Sequence, residues 1–202
     1  ANSYYQQTVG TSDNGYASGR QKSSPSSFSV PRLTKVGYET SPPLDELAAM
    51  SDADLAAVPN FAVIRPNYGA VQWEGAVDVR GTNLDRVVVI EAKDVAVYHH
   101  EEREGTKPAV GTKLNRPATL TYFQVFPKDN PAASVAEKEK FAAKLEKSAR
   151  RMDADFVSYD MDNGDWKIRV QHFSRYALVV DDDDTSQASE AEEVVGVVFS
   201  QA

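Results

Sequence analysis

The sequence predicts an α+β domain with a largely antiparallel β-sheet of about six strands or more, flanked by two helices. Apolar and polar residues alternate along several short segments between residues 61 and 126, which is typical of half-buried strands. An Asn163–Gly164 pair separates two more such segments and is a strong hairpin signal. Residues 131–152 instead carry apolar side chains at helical spacing. Strands that are followed by one long helix indicate the α+β class.

The length and composition indicate one domain with tails. The chain has 202 residues, 41% of them hydrophobic, and a net charge of −8. Such an acidic chain has no electrostatic footprint for nucleic acid or an anionic membrane, so we expect no direct binding to either. It has no cysteine and no N-glycosylation sequon, which favours a reducing compartment.

Three regions differ in composition. Residues 1–32 are rich in Ser, Gly, Gln, Asn and Tyr, and we expect a flexible linker there, cut from a longer protein and without a signal peptide. The folded domain is expected over residues 33–181. Residues 182–202 are tail-like apart from an apolar VVGVVF segment, and Asp181–Asp184 stop the last strand because adjacent like charges repel one another.

Two short helices are predicted at the start of the domain. Ser41 with two prolines precedes LDELAAM and is expected to cap the first helix. Ser51 with Asp54 repeats the capping pattern before the second helix, and Pro59 is expected to end it.

The period of the apolar residues then changes to two. Residues 99–117 are predicted to be a long connection that carries glycine, proline and charge. The predicted strands lie in FAVIR, AVQWEG, AVDVRG, LDRVVVIEA, KDVAVYH, ATLTYFQVF, DFVSYD, DWKIRVQHF and RYALVV. Ser134 and Glu137 form a capping box for the long helix, whose buried stripe includes Phe141 and Leu145.

The tripeptide His172-Phe173-Ser174 carries the candidate chemistry. A serine hydroxyl can attack the carbonyl of the preceding residue through a five-membered ring, which gives an ester that water hydrolyses. Histidine titrates near neutral pH and suits the proton transfer. Strain in the peptide and donors for the oxyanion would assist the step. Three residues alone are a weak pattern, and on the tripeptide alone ordinary strand filling is the favoured explanation.

Longer blocks carry a resemblance to a family. The blocks LTKVGYETSP, LDELAAM, FAVIRPNYGAVQWEG, TNLDRVVVIEAKDVAVY, VGTKLNRPA and GDWKIRVQHFSRYAL occur in this order. From about Leu33 to Val180 the chain resembles the autoproteolytic domain of the GLFG-repeat nucleoporins, the family that includes the vertebrate ninety-eight-kilodalton nucleoporin.

The resemblance implies a self-cleaving serine autopeptidase that acts on its own chain only. It implies cleavage between Phe173 and Ser174, with Ser174 as the nucleophile and His172 supporting proton transfer, and no cofactor or metal. It also implies a place at the nuclear pore complex in the nucleus. The expected partners are scaffold nucleoporins, including a β-propeller nucleoporin, and the carboxyl-side cleavage product itself. A non-cleaving docking module is the alternative.

The loop before the last strands is a possible support for the site. Asn115 and Arg116 could brace the scissile strand or stabilise the oxyanion, or they could simply order their own loop by hydrogen bonds. Lys113 stands where the family pattern G-x-G-L-N-R has its second glycine, which questions any close backbone approach there.

Other site classes are weaker. His99 and His100 are adjacent, so a solvated turn is favoured over a metal site. Trp73 and Trp166 are expected in the core. An extracellular self-cleaving domain is disfavoured by the absence of cysteine and sequon, and a hydrolase for external substrates by the absence of a G-x-S-x-G elbow.

Overall fold

The computed structural model of the chain describes residues 29–179. Most of the predicted linker, the acidic run Asp181–Asp184 and the VVGVVF segment therefore lie outside the described residues. Within the described residues, no helix is long and apolar enough to cross a membrane.

Eleven strands form three sheets in the described part of the chain, and every pairing between them is antiparallel. The main sheet has six strands in the order β1-β3-β4-β8-β10-β9, a second has β11-β7-β6, and a third pairs β2 with β5. The strands are β1 Glu39–Ser41, β2 Val58–Pro59, β3 Ala62–Arg65, β4 Gly69–Trp73, β5 Ala76–Val77, β6 Val88–Glu91, β7 Asp94–Val97, β8 Ala118–Tyr122, β9 Asp155–Tyr159, β10 Trp166–Val170 and β11 Arg175–Ala177.

Five α-helices accompany the sheets, and one of them is long. They are α1 Leu44–Ala49, α2 Asp52–Leu55, α3 Leu84–Val87, α4 His99–Glu104 and α5 Val135–Arg151, with a 3₁₀ turn at Pro127–Asp129. The six-stranded antiparallel sheet and these helices confirm the predicted α+β class.

The capping predictions are confirmed at two helices and wrong at one. Ser51 with Asp54 and Ser134 with Glu137 both form complete capping boxes. Ser41 does not cap α1; it ends β1 paired with Ala62, and Pro43 holds the cap position. The reason is local, because a residue before proline avoids the helical region and stays extended.

Two predicted segments have a different structure. The first half of LDRVVVIEA forms α3, and the strand starts only at Val88. The predicted connection begins instead with α4, which ends at Gly105 in the left-handed conformation with φ 70°. Arg86 of α3 pairs with Glu101 and Glu104 of α4, so the two short helices stabilise each other.

Aromatic side chains form the centre of the core. Trp73 and Trp166 are buried, as predicted, and the Trp166 ring stacks on Tyr122 with centroids 4.9 Å apart. Phe61 stacks on Trp73 at 5.5 Å. Phe173 is also completely buried and joins the same cluster, so the predicted site lies against the core of the domain.

Candidate self-cleavage site

The predicted scissile bond lies in a bend between two sheets. β10 ends at Val170 in the six-stranded sheet, and β11 begins at Arg175 in the three-stranded sheet. Residues 171–174 therefore cross from one sheet to the other, and the prediction that they continue a strand is wrong. The alternation of exposed His172 and buried Phe173 imitates a strand, because a bend over a core edge also points successive side chains outward and inward.

Phe173 anchors this bend in the core. Its ring lies 5.6 Å from the Trp73 ring and 6.5 Å from the Tyr176 ring, measured between centroids. Burying such a side chain contributes on the order of 1.5–3 kcal/mol. The residue on the amino side of the predicted scissile bond is thus held by packing as well as by hydrogen bonds.

A lysine contacts the carbonyl of the predicted scissile bond. The ammonium group of Lys107 donates a hydrogen bond to the carbonyl oxygen of Phe173, and it also pairs with Glu102 at 3.0 Å. The side chain of Lys107 is 18% exposed. A cation on this oxygen polarises the carbonyl and is placed to stabilise negative charge that develops there.

The segment after α4 delivers Lys107 to this position. The carbonyl of Glu101 accepts hydrogen bonds from the backbone N–H groups of Thr106 and Lys107, at 2.8 and 3.1 Å. Lys107 is not among the site residues predicted from the sequence, and it is 66 residues from Phe173 in the chain. No spacing rule connects positions so far apart, and only the fold brings them together.

Asn115 joins its own loop to the bend. Its side-chain oxygen accepts a hydrogen bond from the Phe173 N–H at 2.9 Å, and its amide nitrogen donates to the Pro108 carbonyl at 2.8 Å. These partners fix the orientation of the amide, since a backbone N–H can only donate and a carbonyl can only accept. Asn115 thus combines two of the roles considered for it, ordering the loop and bracing the bend, while the hydrogen bond of its N–H₂ group goes to the Pro108 carbonyl.

Tyr176 closes the bend from the carboxyl side. Its hydroxyl donates to the carbonyl oxygen of His172 at 2.7 Å. Burial raises the pKa of Tyr176, while the neighbouring Ser174 hydroxyl lowers this pKa. The Tyr176 hydroxyl therefore stands between the residues that flank Phe173.

The histidine and serine side chains differ in their surroundings. The His172 side chain is exposed, whereas Ser174 is half-buried. Among the described residues, no hydrogen bond joins the His172 imidazole to the Ser174 hydroxyl, and the contact that His172 makes with Tyr176 uses its backbone carbonyl.

The chain after the predicted scissile bond is fixed by β11. The Nε and Nη2 groups of Arg175 donate hydrogen bonds to the two carboxylate oxygens of Asp94, at 2.6–3.2 Å. The buried hydroxyl of Tyr122 donates to the Tyr176 carbonyl at 2.9 Å, and the Leu178 N–H donates to the Lys93 carbonyl at 2.8 Å. The carboxyl-side flank of the bend is therefore held by its strand pairing with β7 and by Tyr122 of the six-stranded sheet.

Two other predicted supporting residues lie away from the bend. Arg116 donates to the Ala76 carbonyl at 2.7 Å. Lys113 pairs with Asp78 at 3.0 Å and donates to the Arg80 carbonyl at 3.1 Å. The pKa of Asp78 is held well below its usual range, mainly by the hydrogen bond from the Arg80 side chain and then by Lys113.

The backbone conformation of Lys113 explains how a lysine can stand where the family pattern has a glycine. Its backbone φ is 50°, the left-handed conformation that glycine adopts most easily. The lysine thus keeps the backbone conformation that a glycine would give, and its side chain turns toward Asp78 rather than toward Phe173.

The predicted histidine pair lies at the start of α4. The rings of His99 and His100 are 5.8 Å apart and their planes are inclined at 62°. Among residues 29–179, no group of three or more side chains is arranged to hold a metal ion.

The fold and the bend define an α+β domain, and its family is shown by comparison with known proteins. The family model Nucleoporin2, described as Nup98-96 autopeptidase S59, matches residues 35–178. The chain therefore belongs to this family, which confirms the resemblance seen in the sequence.

Curated relatives and solved structures agree with the family. Nuclear pore complex protein Nup98-Nup96 of Dictyostelium discoideum is 35% identical over 162 residues, which cover 78% of this chain. The Nup145N autoproteolytic domain of Chaetomium thermophilum, crystallised as an alanine mutant fused to a piece of Nup145C, is 31% identical, with a TM-score of 0.59, over 67% of this chain and 94% of that one. A chain in the structure of the yeast heterotrimeric Nup82–Nup159–Nup116 nucleoporin complex is 25% identical, with a TM-score of 0.56, over 69% of this chain and 98% of that one.

The match covers one part of the curated relatives. The chain spans 8% of the Dictyostelium protein and 15% of the Arabidopsis thaliana relative NUP98A. These relatives are nuclear pore complex proteins, which supports the predicted location at the nuclear pore in the nucleus.

Proposed function

We propose that this domain cleaves its own chain once, between Phe173 and Ser174. The observation that carries the proposal is the contact between the Lys107 ammonium and the carbonyl oxygen of Phe173. Acyl transfer at a peptide bond is favoured by a donor that stabilises the negative charge developing on the carbonyl oxygen, and the Lys107 ammonium contacts this oxygen at one particular bond. The family description as an autopeptidase supports the same conclusion.

The first chemical step is an N-to-O acyl shift. The Ser174 hydroxyl oxygen attacks the Phe173 carbonyl carbon, and the C–O bond forms as negative charge collects on the oxygen that Lys107 contacts. The bond between the Phe173 carbonyl carbon and the Ser174 nitrogen then breaks. The proton that leaves the hydroxyl ends on this nitrogen, which gives an ester and a free amine.

The second step is hydrolysis of the ester. One water adds its oxygen to the Phe173 carbonyl carbon, and the Ser174 oxygen leaves as a hydroxyl after taking a proton. The products are a chain that ends in the Phe173 carboxylate and a chain that starts with Ser174, and one water is consumed. Lys107 then faces a carboxylate rather than a neutral carbonyl.

His172 is the proton carrier in this proposal. Its imidazole is exposed at the start of the bend, so it exchanges protons with the hydroxyl through solvent rather than by direct contact. Asn115 and Tyr176 hold the bend on either side of Phe173 and keep the attacking oxygen next to its target.

The fold supports the tethering of both products. Strand β10, which ends at Val170, belongs to the six-stranded sheet, and strand β11, which begins at Arg175, pairs with β7. Because each side of the bond is held by its own sheet, cleavage leaves the new carboxyl-side chain attached as a strand. Its own cleavage product is thus one partner of the domain.

We further propose that the domain docks its chain onto scaffold nucleoporins, including a β-propeller nucleoporin. The yeast Nup82–Nup159–Nup116 complex, one chain of which is similar to this domain, supports docking as a use of this fold. A non-cleaving docking module is the alternative, and it is favoured by the absence, among the described residues, of a hydrogen bond between the His172 imidazole and the Ser174 hydroxyl.

Ser174→Ala separates these functions. The intact chain is expected to convert into fragments 1–173 and 174–202, and the Ser174→Ala chain is expected to stay whole with an unchanged fold by circular dichroism. Fragments from the alanine variant would refute the mechanism. Docking is measured on both chains by titration with the β-propeller nucleoporin, and equal affinity would assign docking to the fold rather than to cleavage.

A further inference from the structure

An open groove lies beside the end of β11, away from the Phe173–Ser174 bond. It is a cavity of about 440 Å³ between the turn after β8, the face of α5 and the residue that follows β11. Phe126, Phe141 and Leu178 give it an apolar floor. Because Leu178 directly follows β11 and lines the groove, the chain passes the groove as it continues beyond this strand.

The rim of the groove carries more lysines than carboxylates. Four lysines line it, at positions 93, 128, 140 and 144. Glu137 is the acidic residue of the lining; its carboxylate accepts hydrogen bonds from Ser134 in the capping box of α5 and also attracts the charges of Lys128 and Lys140. Lys93 pairs with Asp129, whereas no hydrogen bond or ion pair of the Lys140 or Lys144 ammonium occurs among residues 29–179. The rim therefore offers positive charge to an acidic ligand.

The described chain ends against α5 next to this rim. The Val179 carbonyl accepts a hydrogen bond from the Ser148 hydroxyl at 3.4 Å, and Ser148 lies one helical turn from Lys144. Lys140 lies one turn further, about 12 Å from Ser148 along the helix at about 1.5 Å per residue. Val180 and four aspartates follow Val179 in the sequence. Five residues reach up to about 17 Å, which is enough to bring the aspartates to both lysines.

We propose that Asp181–Asp184 bind the basic rim of the groove in an intramolecular ion-pair contact. Four carboxylates next to a lysine-rich rim are complementary in charge, and a tether of a few residues gives an effective concentration in the millimolar range. An acidic segment of another protein lacks this tether and is at a disadvantage at low concentration. The segment that follows β11 is thereby held along α5.

The contact adds a second attachment for the chain after β11. If the bond before Ser174 is cut, as in the proposed function, Asp181–Asp184 belong to the carboxyl-side product and help to retain it. This consequence rests on the proposed function, whereas the contact itself does not.

Lysine acetylation tests the contact. Only the neutral amine reacts, and an adjacent carboxylate stabilises the charged form, so ion-paired lysines react more slowly. The Ser174→Ala chain keeps every molecule in one piece, and it is compared with the same chain carrying D181N, D182N, D183N and D184N. Acetic anhydride is added at low salt, and acetylation at each lysine is followed by peptide mass spectrometry.

The expected result is faster acetylation of Lys140 and Lys144 in the asparagine chain. A two- to five-fold rise corresponds to about 0.4–1 kcal/mol for an exposed ion pair. Lys147 is the matched control, because it is an exposed lysine on the same helix outside the groove lining. The same rise should appear in the parent chain at about 1 M salt, where the screening length falls to about 3 Å.

Two outcomes would overturn the proposal. Unchanged acetylation of Lys140 and Lys144 would mean that the groove is free for another molecule. An equal rise at Lys147 would mean that the aspartates act only through the general charge of the chain. Both outcomes are independent of cleavage, because every chain in the comparison carries Ser174→Ala.

Discussion

Removal of the Lys107 ammonium should slow self-cleavage by about two orders of magnitude. Lys107→Gln keeps most of the length and some of the hydrogen-bonding capacity of the side chain but removes the charge that faces the Phe173 carbonyl oxygen. Loss of one preorganised oxyanion donor lowers rates by about 10²–10³, or about 2.7–4 kcal/mol. Because Lys107 shares its charge with Glu102 at 3.0 Å and is partly exposed, the lower end of this range is expected.

The assay follows newly made chain before cleavage is complete. Chain is synthesised in a cell-free system, synthesis is stopped, and the fractions of whole chain and of fragment 1–173 are measured against time under denaturing conditions. Lys107→Arg provides a second variant, which keeps the charge and should retain more of the rate than Lys107→Gln.

Lys113→Gln is the matched control for this experiment. Lys113 lies in the same connection and is 37% exposed, but it pairs with Asp78 and does not contact Phe173. Its loss should leave the cleavage rate within about three-fold of the parent. Equal slowing by both variants, or an unchanged rate in a folded Lys107→Gln chain, would refute the assignment of Lys107 as the oxyanion donor.

Three further predictions concern the support of the bend and of the core. Asn115→Ala leaves the buried N–H of Phe173 without its partner and should lower the free energy of unfolding by about 1–3 kcal/mol in urea titration; an unchanged midpoint would show that the brace is unimportant. Tyr176→Phe removes the hydrogen bond to the His172 carbonyl, worth about 0.5–1.5 kcal/mol, and should slow cleavage by up to about ten-fold while the near-ultraviolet circular dichroism stays native. Burial raises the pKa of Tyr122 well above its ordinary value in the folded state, so its contribution to stability is full below about pH 10, the unfolded pKa, and is lost as the pH rises further. Urea midpoints between pH 8 and 11 should therefore fall above pH 10, and a flat profile would contradict the buried phenol.

The long helix and the strands were predictable because their signals are local. The Ser134–Glu137 capping box and the apolar stripe of α5 lie within one segment, and the structure contains both. The hairpin at Gly164 was also predictable, since its φ of 77° is one that glycine adopts easily. Helix α4 was missed because its ion pairs with Arg86 connect residues 15 and 18 positions apart.

The candidate site was predictable only in part. The tripeptide and its family context indicate which bond to consider, but the bend at residues 171–174 depends on β10 and β11 joining different sheets. Lys107 lies in a separate segment whose sequence shows no strand periodicity. The role of Asn115 could be chosen only once its hydrogen-bond partners in the structure were known. Side chains that meet through tertiary packing leave no fixed spacing in the sequence.

The most direct test of the central claim is the intact mass of the folded chain under denaturing conditions. Self-cleavage predicts two species, residues 1–173 and 174–202, whose masses add up to that of the whole chain plus one water, and a single whole species for Ser174→Ala. A single uncut species from folded parent chain would contradict cleavage at Phe173–Ser174 and would leave docking as the function of the domain.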